Sequence, residues 1–331
     1  MIPTKQSFKR VMTIQKLFRP LLFSSLLAIL ISGPMVSTGY AAITPNDVYG
    51  LFDLADRNLD NILRRSGATF SRATPLIEKG LKPMHVYQMA VSSIKAIHNF
   101  QLKNNMIPIP IIIATSREYK PGDVYLLGEM VVAEVSRIAR HKGVRGIDTQ
   151  LNRFTGKTPT HVFSKVVSVY LKINQLGGAK QITPSDVFAQ MYRARNDVKS
   201  ILGKIDPARR YRVDVAKSPP GLTPLDVIKE TLKARGKINK ARRHFGLAPI
   251  SVPMLEPGVK IFPTDVFIQT QIIIAEINLL KIATGTISAT PLPILVKGKK
   301  PSDVHQEAVA MEYLLDQIDM LEQLVKTMES K

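Results

Sequence analysis

Apolar residues recur along this chain at the spacing of a helix with one buried face. Val48, Phe52, Ala55, Leu59 and Leu63 form one such stripe, and Val124, Leu127, Val131, Val135 and Ile138 another. Each pattern suggests a helix of near 20 residues, roughly 30 Å long at 1.5 Å per residue. Every stripe starts just after a version of the same short motif, first met as Thr44-Pro45-Asn46-Asp47-Val48-Tyr49. Later versions begin at Lys82, Lys120, Thr158, Thr183, Thr223, Phe262 and Lys300.

The chemistry of the motif is that of a helix start. Thr44 suits the N-cap and Pro45 the first helical position, where a missing N–H costs nothing. Asp47 is placed to accept a backbone hydrogen bond and meets the positive end of the helix, as in a capping box with Asp in place of Glu. The residue before the cap is Ile43, Leu81, Tyr119, Ile182, Leu222 or Ile261 in six copies, set to pack on the motif Val as a staple. The other two copies have Lys157 and Lys299 there. Lys82, Lys120, Lys300 and Phe262 offer no side-chain oxygen as caps, so their helices are expected to lean more on tertiary packing. His85 and His161 replace the motif Asp in two copies, where a neutral imidazole can still accept a hydrogen bond.

The motif prolines lie at 45, 83, 121, 159, 184, 224, 263 and 301, so the spacings are 38, 38, 38, 25, 40, 39 and 38. The one short interval divides eight copies into two sets of four. Matching text supports this division: Val131-Val132-Ala133-Glu134-Val135 parallels Ile273-Ile274-Ala275-Glu276-Ile277 in the third copies, and both missing staples fall in the fourth. The sequence thus predicts an all-α helical repeat protein with eight principal helices in two duplicated four-helix units, 43–180 and 181–331.

Connections within each unit are much longer than the roughly 2–8 residues usual between bundle helices. Several combine proline with large apolar side chains, as in Met106-Ile107-Pro108-Ile109-Pro110-Ile111, Pro249-Ile250-Ser251-Val252-Pro253-Met254 and Pro291-Leu292-Pro293-Ile294-Leu295-Val296. Extended, polyproline-like chain is expected there. Laid against the helices, such segments would cover the core and carry the chain back, bringing neighbouring helix starts to the same end. The short Gly177-Gly178-Ala179-Lys180-Gln181 link instead suggests an antiparallel helical hairpin between the units.

Location is written at the N-terminus. Lys5, Lys9, Arg10, Lys16 and Arg19 precede the apolar run 21–31, and small residues follow through Ala41 and Ala42, the order of a secretory signal peptide. The run is shorter than the about 20 residues of a membrane span, so 1–41 is read as a cleaved signal, with a retained anchor as the alternative. The expected product is soluble, periplasmic or secreted. Removing that segment takes five of 46 basic residues and none of the 26 acidic ones, leaving a net charge of +15. The excess favours an anionic envelope component or an envelope protein as partner, with peripheral membrane contact compatible with it.

Catalytic signatures are missing. Gly156-Lys157-Thr158 resembles the end of a phosphate-binding loop, but Leu151 stands where its first glycine is required. No two of the six histidines are spaced i, i+4, there is no cysteine for a thiolate site, and no cofactor motif is present. Helix capping accounts for the recurrent Asp47, Asp123, Asp186, Asp226, Asp265 and Asp303; catalysis would require two of them to converge in one cleft.

The densest charge is in the sixth helix, where Lys229, Lys233, Lys237 and Lys240 share a stripe with Arg235, Arg242 and Arg243 beside it. Nucleic acid is disfavoured as its target, because the chain lacks Trp and regularly interleaved aromatics. Part of this stripe has an internal alternative, pairing with Glu312, Asp316 and Asp319 of the last helix. The sequence therefore points to an exported, non-catalytic binding or scaffolding protein of the cell envelope with a basic helical surface. A small-ligand carrier or sensor with a pocket between helices is the alternative.

Overall fold

The computed structural model describes residues 42–68, 70, 77–178, 181–287, 289 and 296–329, the last eight of these by backbone alone. The proposed signal segment, most of the 291–296 stretch and the centre of the 177–181 link lie outside the described residues. Eight α-helices make up the described secondary structure: α1 Pro45–Arg65, α2 Pro83–Lys103, α3 Pro121–His141, α4 Pro159–Leu176, α5 Pro184–Ile205, α6 Pro224–His244, α7 Pro263–Ala283 and α8 Pro301–Glu329. Every one begins at a motif proline.

At all eight starts the third helical residue accepts a hydrogen bond from the backbone N–H of the cap residue. Asp47, Asp123, Asp186, Asp226, Asp265 and Asp303 do so at 2.7 to 2.8 Å. His85 and His161 do so through Nδ1, at 2.8 and 3.1 Å. The interaction uses the cap's backbone, so the missing oxygens of Lys82, Lys120, Phe262 and Lys300 do not remove it. What Lys82, Lys120 and Phe262 lack is the reciprocal bond, which Thr183 and Thr223 accept from the N–H of Asp186 and Asp226.

Within the first unit α1 and α2 each pack on both α3 and α4; in the second, α5 and α6 each pack on both α7 and α8. The order around the two rings is α1–α3–α2–α4 and α5–α7–α6–α8. All four helices of a ring are parallel. Pro45, Pro83, Pro121 and Pro159 come together with Val48, Val86, Val124 and Val162 at one end of the first bundle. Pro184, Pro224, Pro263 and Pro301 do the same with their valines in the second. Parallel neighbours require a return path along the bundle, which segments of 17 or 18 residues supply with length to spare at about 3.3 Å per extended residue.

Among the described residues the returning chain has no sheet partner, and helix side chains bond its backbone at a matching position in both bundles. His98 donates to the Ile109 carbonyl at 2.6 Å, and its counterpart Asn239 bonds both the carbonyl and the N–H of Ile250, at 2.7 and 2.9 Å. The two departures from the staple also match. The Lys157 and Lys299 ammonium groups lie over the rings of Tyr49 and Phe188, 4.4 and 4.2 Å from the centroids. Their backbone N–H groups donate to Asn46 and Ser185. A lysine replaces the apolar staple because an aromatic face on the first helix receives its charge.

The bundles meet through α2 and α7. The two helices are antiparallel, since His85 lies near Glu276 while Gln88 and Ser92 further along α2 bond Gln271 nearer the start of α7. The expected reversal between the units is therefore present, but α4 and α5 do not form the packed hairpin suggested by the short link. Helix α7 is long and apolar enough to cross a membrane, yet 83% of its most apolar window is buried in the protein. Packed by its own bundle on one side and α2 on the other, it has no solvent face to keep polar.

Candidate functional site

The predicted basic stripe of α6 divides in two. Arg235 and Arg242 are buried, which removes them from any surface. Arg235 forms a bidentate pair with Glu78 at 2.5 and 2.8 Å, reaches Glu276 at 2.7 Å, and also donates to Gln269 and the Ser251 carbonyl. Burial would favour the neutral guanidine, but the two carboxylates outweigh it and raise the pKa further. Burial alone would likewise raise Glu276, whereas Arg235 and His85 hold it below its ordinary value. Glu78 belongs to the first unit, so Arg235 ties the bundles together. Arg242 donates to the Ala248 carbonyl through Nε and Nη2.

Lys237 and His244 are bound to the last helix: Lys237 pairs with Glu312 at 3.3 Å and Asp316 at 2.6 Å, and His244 lies 2.5 Å from Asp319. Lys229, Lys233, Lys240 and Arg243 are exposed, and Lys233 has a partner in Glu230, at 2.6 Å. These four form the uncovered edge of the stripe, with Lys233 already paired inside it.

That edge corresponds to a docking face in the other bundle. Counted from the motif prolines Pro83 and Pro224, Lys229, Lys233 and Lys240 stand at the positions of Gln88, Ser92 and Asn99 in α2. Gln88 and Ser92 both donate to Gln271 Oε1 at 2.9 Å. The side of the repeat that holds α7 in the first bundle is thus uncovered and basic in the second.

Further along the same α2 stripe, contact with α7 gives way to a cleft. Lys95 and Asn99 of α2, Tyr170 and Asn174 of α4, and Asp186 and Gln190 of α5 line it, with the Phe267 ring stacked on Tyr170 at 5.1 Å. Its volume is about 110 Å³, below the roughly 300–1,000 Å³ of drug-sized ligand pockets, so it has room only for a small molecule. Burial, and then the nearby Arg193, lower the Lys95 pKa, while Asp186 acts in the opposite direction. Among the described residues no ion pair or hydrogen bond closes on its ammonium.

Sequence reasoning overlooked this group although a signal was present. Lys95 is the one Lys, Arg, Asp or Glu between Pro83 and Leu102, in an otherwise uncharged helix. Of the motif acids, only Asp186 lines this cleft. Among the described residues no three His, Asp or Glu side chains converge as metal ligands. No protein-family model matches the sequence, and no curated protein or solved structure is significantly similar to it.

Proposed function

We propose that this chain is a non-catalytic binding protein of the cell envelope, exported by its N-terminal segment, that holds an anionic envelope component on the uncovered basic edge of α6. The observation carrying this reading is the equivalence of that edge to the docking face of α2. The positions used for contact in one bundle, those of Gln88 and Ser92, are left open in the other and carry Lys229 and Lys233, with Lys240 further along the same stripe. Exposed ammonium groups in a row favour a polyanionic surface through long-range attraction, and such binding weakens with salt.

The test compares two charge-reversed variants on isolated envelopes at low and high salt. The Lys229→Glu, Lys233→Glu, Lys240→Glu triple variant is expected to lose at least tenfold in low-salt binding. Reversal of Arg64, Arg140 and Arg145, exposed cations of the first bundle, controls for net charge and should have a smaller effect. Equal losses in the two variants would refute the assigned surface. Intact mass of the exported chain tests the location, with a start at Ala42 or Ile43 expected.

A further inference from the structure

The cleft between the bundles has the composition of a ligand site, and among the described residues no carboxylate pairs directly with its ammonium. A lysine packed into a protein normally snorkels to water or finds a carboxylate. Lys95 is half-buried, and Asp186, the acid in the cleft, is already engaged by its Oδ2 with the N–H and hydroxyl of Thr183 at 2.8 and 2.6 Å. Arg193, nine-tenths buried and near enough to depress Lys95, has an Nε with no hydrogen-bond partner. Gln190 has a buried Oε1 without a partner. Asn174 donates one amide N–H to the Tyr170 carbonyl.

We propose that this cleft binds a small polar molecule bearing a carboxylate, with the carboxylate on Lys95, the amides of Asn99, Asn174 and Gln190 as its hydrogen-bonding partners, and its body against Tyr170. A carboxylate would supply the direct partner that Lys95 lacks, and the amide groups offer both donors and acceptors to the remaining polar atoms. One ammonium flanked by neutral amides suits a singly charged group better than a phosphate dianion, whose repulsion by Asp186 is about twice as large. The position is specific to the junction: the α6 counterpart of Lys95 is Gly236.

The test titrates the purified chain with succinate, glutamate and phosphate at constant ionic strength, following the side-chain amide signals of Asn99 and Asn174. Saturable shifts with at least one carboxylate are expected, weakened tenfold or more by Lys95→Gln. Because Lys95 makes no ion pair, Lys95→Gln should fold without loss of melting temperature. Asn99→Asp, on an exposed position one turn from Lys95, should also abolish binding by placing a carboxylate there permanently. The Lys229→Glu, Lys233→Glu, Lys240→Glu variant should retain binding, which separates this site from the α6 surface. Saturation by phosphate alone, no saturation by any of the three, or binding unchanged in Lys95→Gln would overturn the proposal.

Discussion

Leu126 in α3 and Ile268 in α7 stand at the same place in the repeat, five residues after the motif prolines Pro121 and Pro263, yet Leu126 is 60% exposed and Ile268 is 1% exposed. The same holds for Glu129 and Gln271, and for Ala133 and Ala275, exposed in the first bundle and buried in the second. One repeat position thus serves as surface in one unit and as interior in the other, because α2 covers α7 and nothing among the described residues covers this side of α3. The conserved geometry of the two units lies in helix starts, ring order and tethered returns. Their difference is confined to the helices that meet, or fail to meet, across the junction.

The glutamates of the third helices sharpen the contrast. Glu134 bonds Gln101 and Arg137 inside its own bundle, whereas its counterpart Glu276 is held by Arg235 and faces His85 of the other. The His85 Nδ1 accepts from the Lys82 N–H, which leaves the hydrogen on Nε2, 3.8 Å from the Glu276 carboxylate.

The largest effect is expected at the clamp. Arg235→Ala leaves Glu78 and Glu276 buried without their cation and should cost about 3–5 kcal/mol in denaturant unfolding. A cost below about 1 kcal/mol would remove Arg235 as the tie between the bundles. Next is the paired comparison: Ile268→Ala should cost about 2–5 kcal/mol, against less than about 0.5 kcal/mol for Leu126→Ala. Similar costs would mean that α3 is covered in solution.

A smaller effect depends on pH. Burial, followed by the hydrogen bond and charge of Glu230, pushes the Glu312 carboxyl up to about 7 from an ordinary 4.5. The folded chain then holds a proton that the unfolded chain has released, so stability falls as pH rises from 4.5 through 7, and the full penalty stands above that. Glu312→Gln should therefore stabilise the protein by roughly 1–2 kcal/mol at pH 8 and have little effect at pH 4, measured by unfolding at both. Smallest is a cap. Asp226, whose carboxyl Thr223 holds below the usual range, should cost about 0.5–1 kcal/mol on replacement by Ala, and that loss should fade as pH falls below 3.8.

The helices and their grouping were legible in the sequence because Pro, Asp and the valine after it act locally, within one turn, and because one short interval broke the period. The return paths were legible as well, from proline and apolar side chains that can be neither helix nor open loop. The fate of Arg235 was not. A stripe of cations on a helical wheel looks the same whether it faces water or another bundle, and its carboxylate partners, Glu78 and Glu276, lie 157 and 41 residues away. Lys95 was legible only as an anomaly of α2, since the cleft it enters is completed by α4, α5 and α7, at least 75 residues further along the chain.

Ring order also bears on how quickly the chain can fold. Consecutive helices α1 and α2, or α3 and α4, lie across the diagonal of their bundle and do not pack on each other, and the consecutive pair that does pack, α2 and α3, is parallel. The helical hairpin, which lets most bundles form contacts between near neighbours in sequence, is therefore not available within either unit. A stable nucleus must instead close a loop spanning a helix and two return segments, or wait for a 17-residue return to dock. Such a chain carries the higher contact order of a β-rich protein in an all-helical body, and its refolding should be slower than that of an up-and-down bundle of equal length.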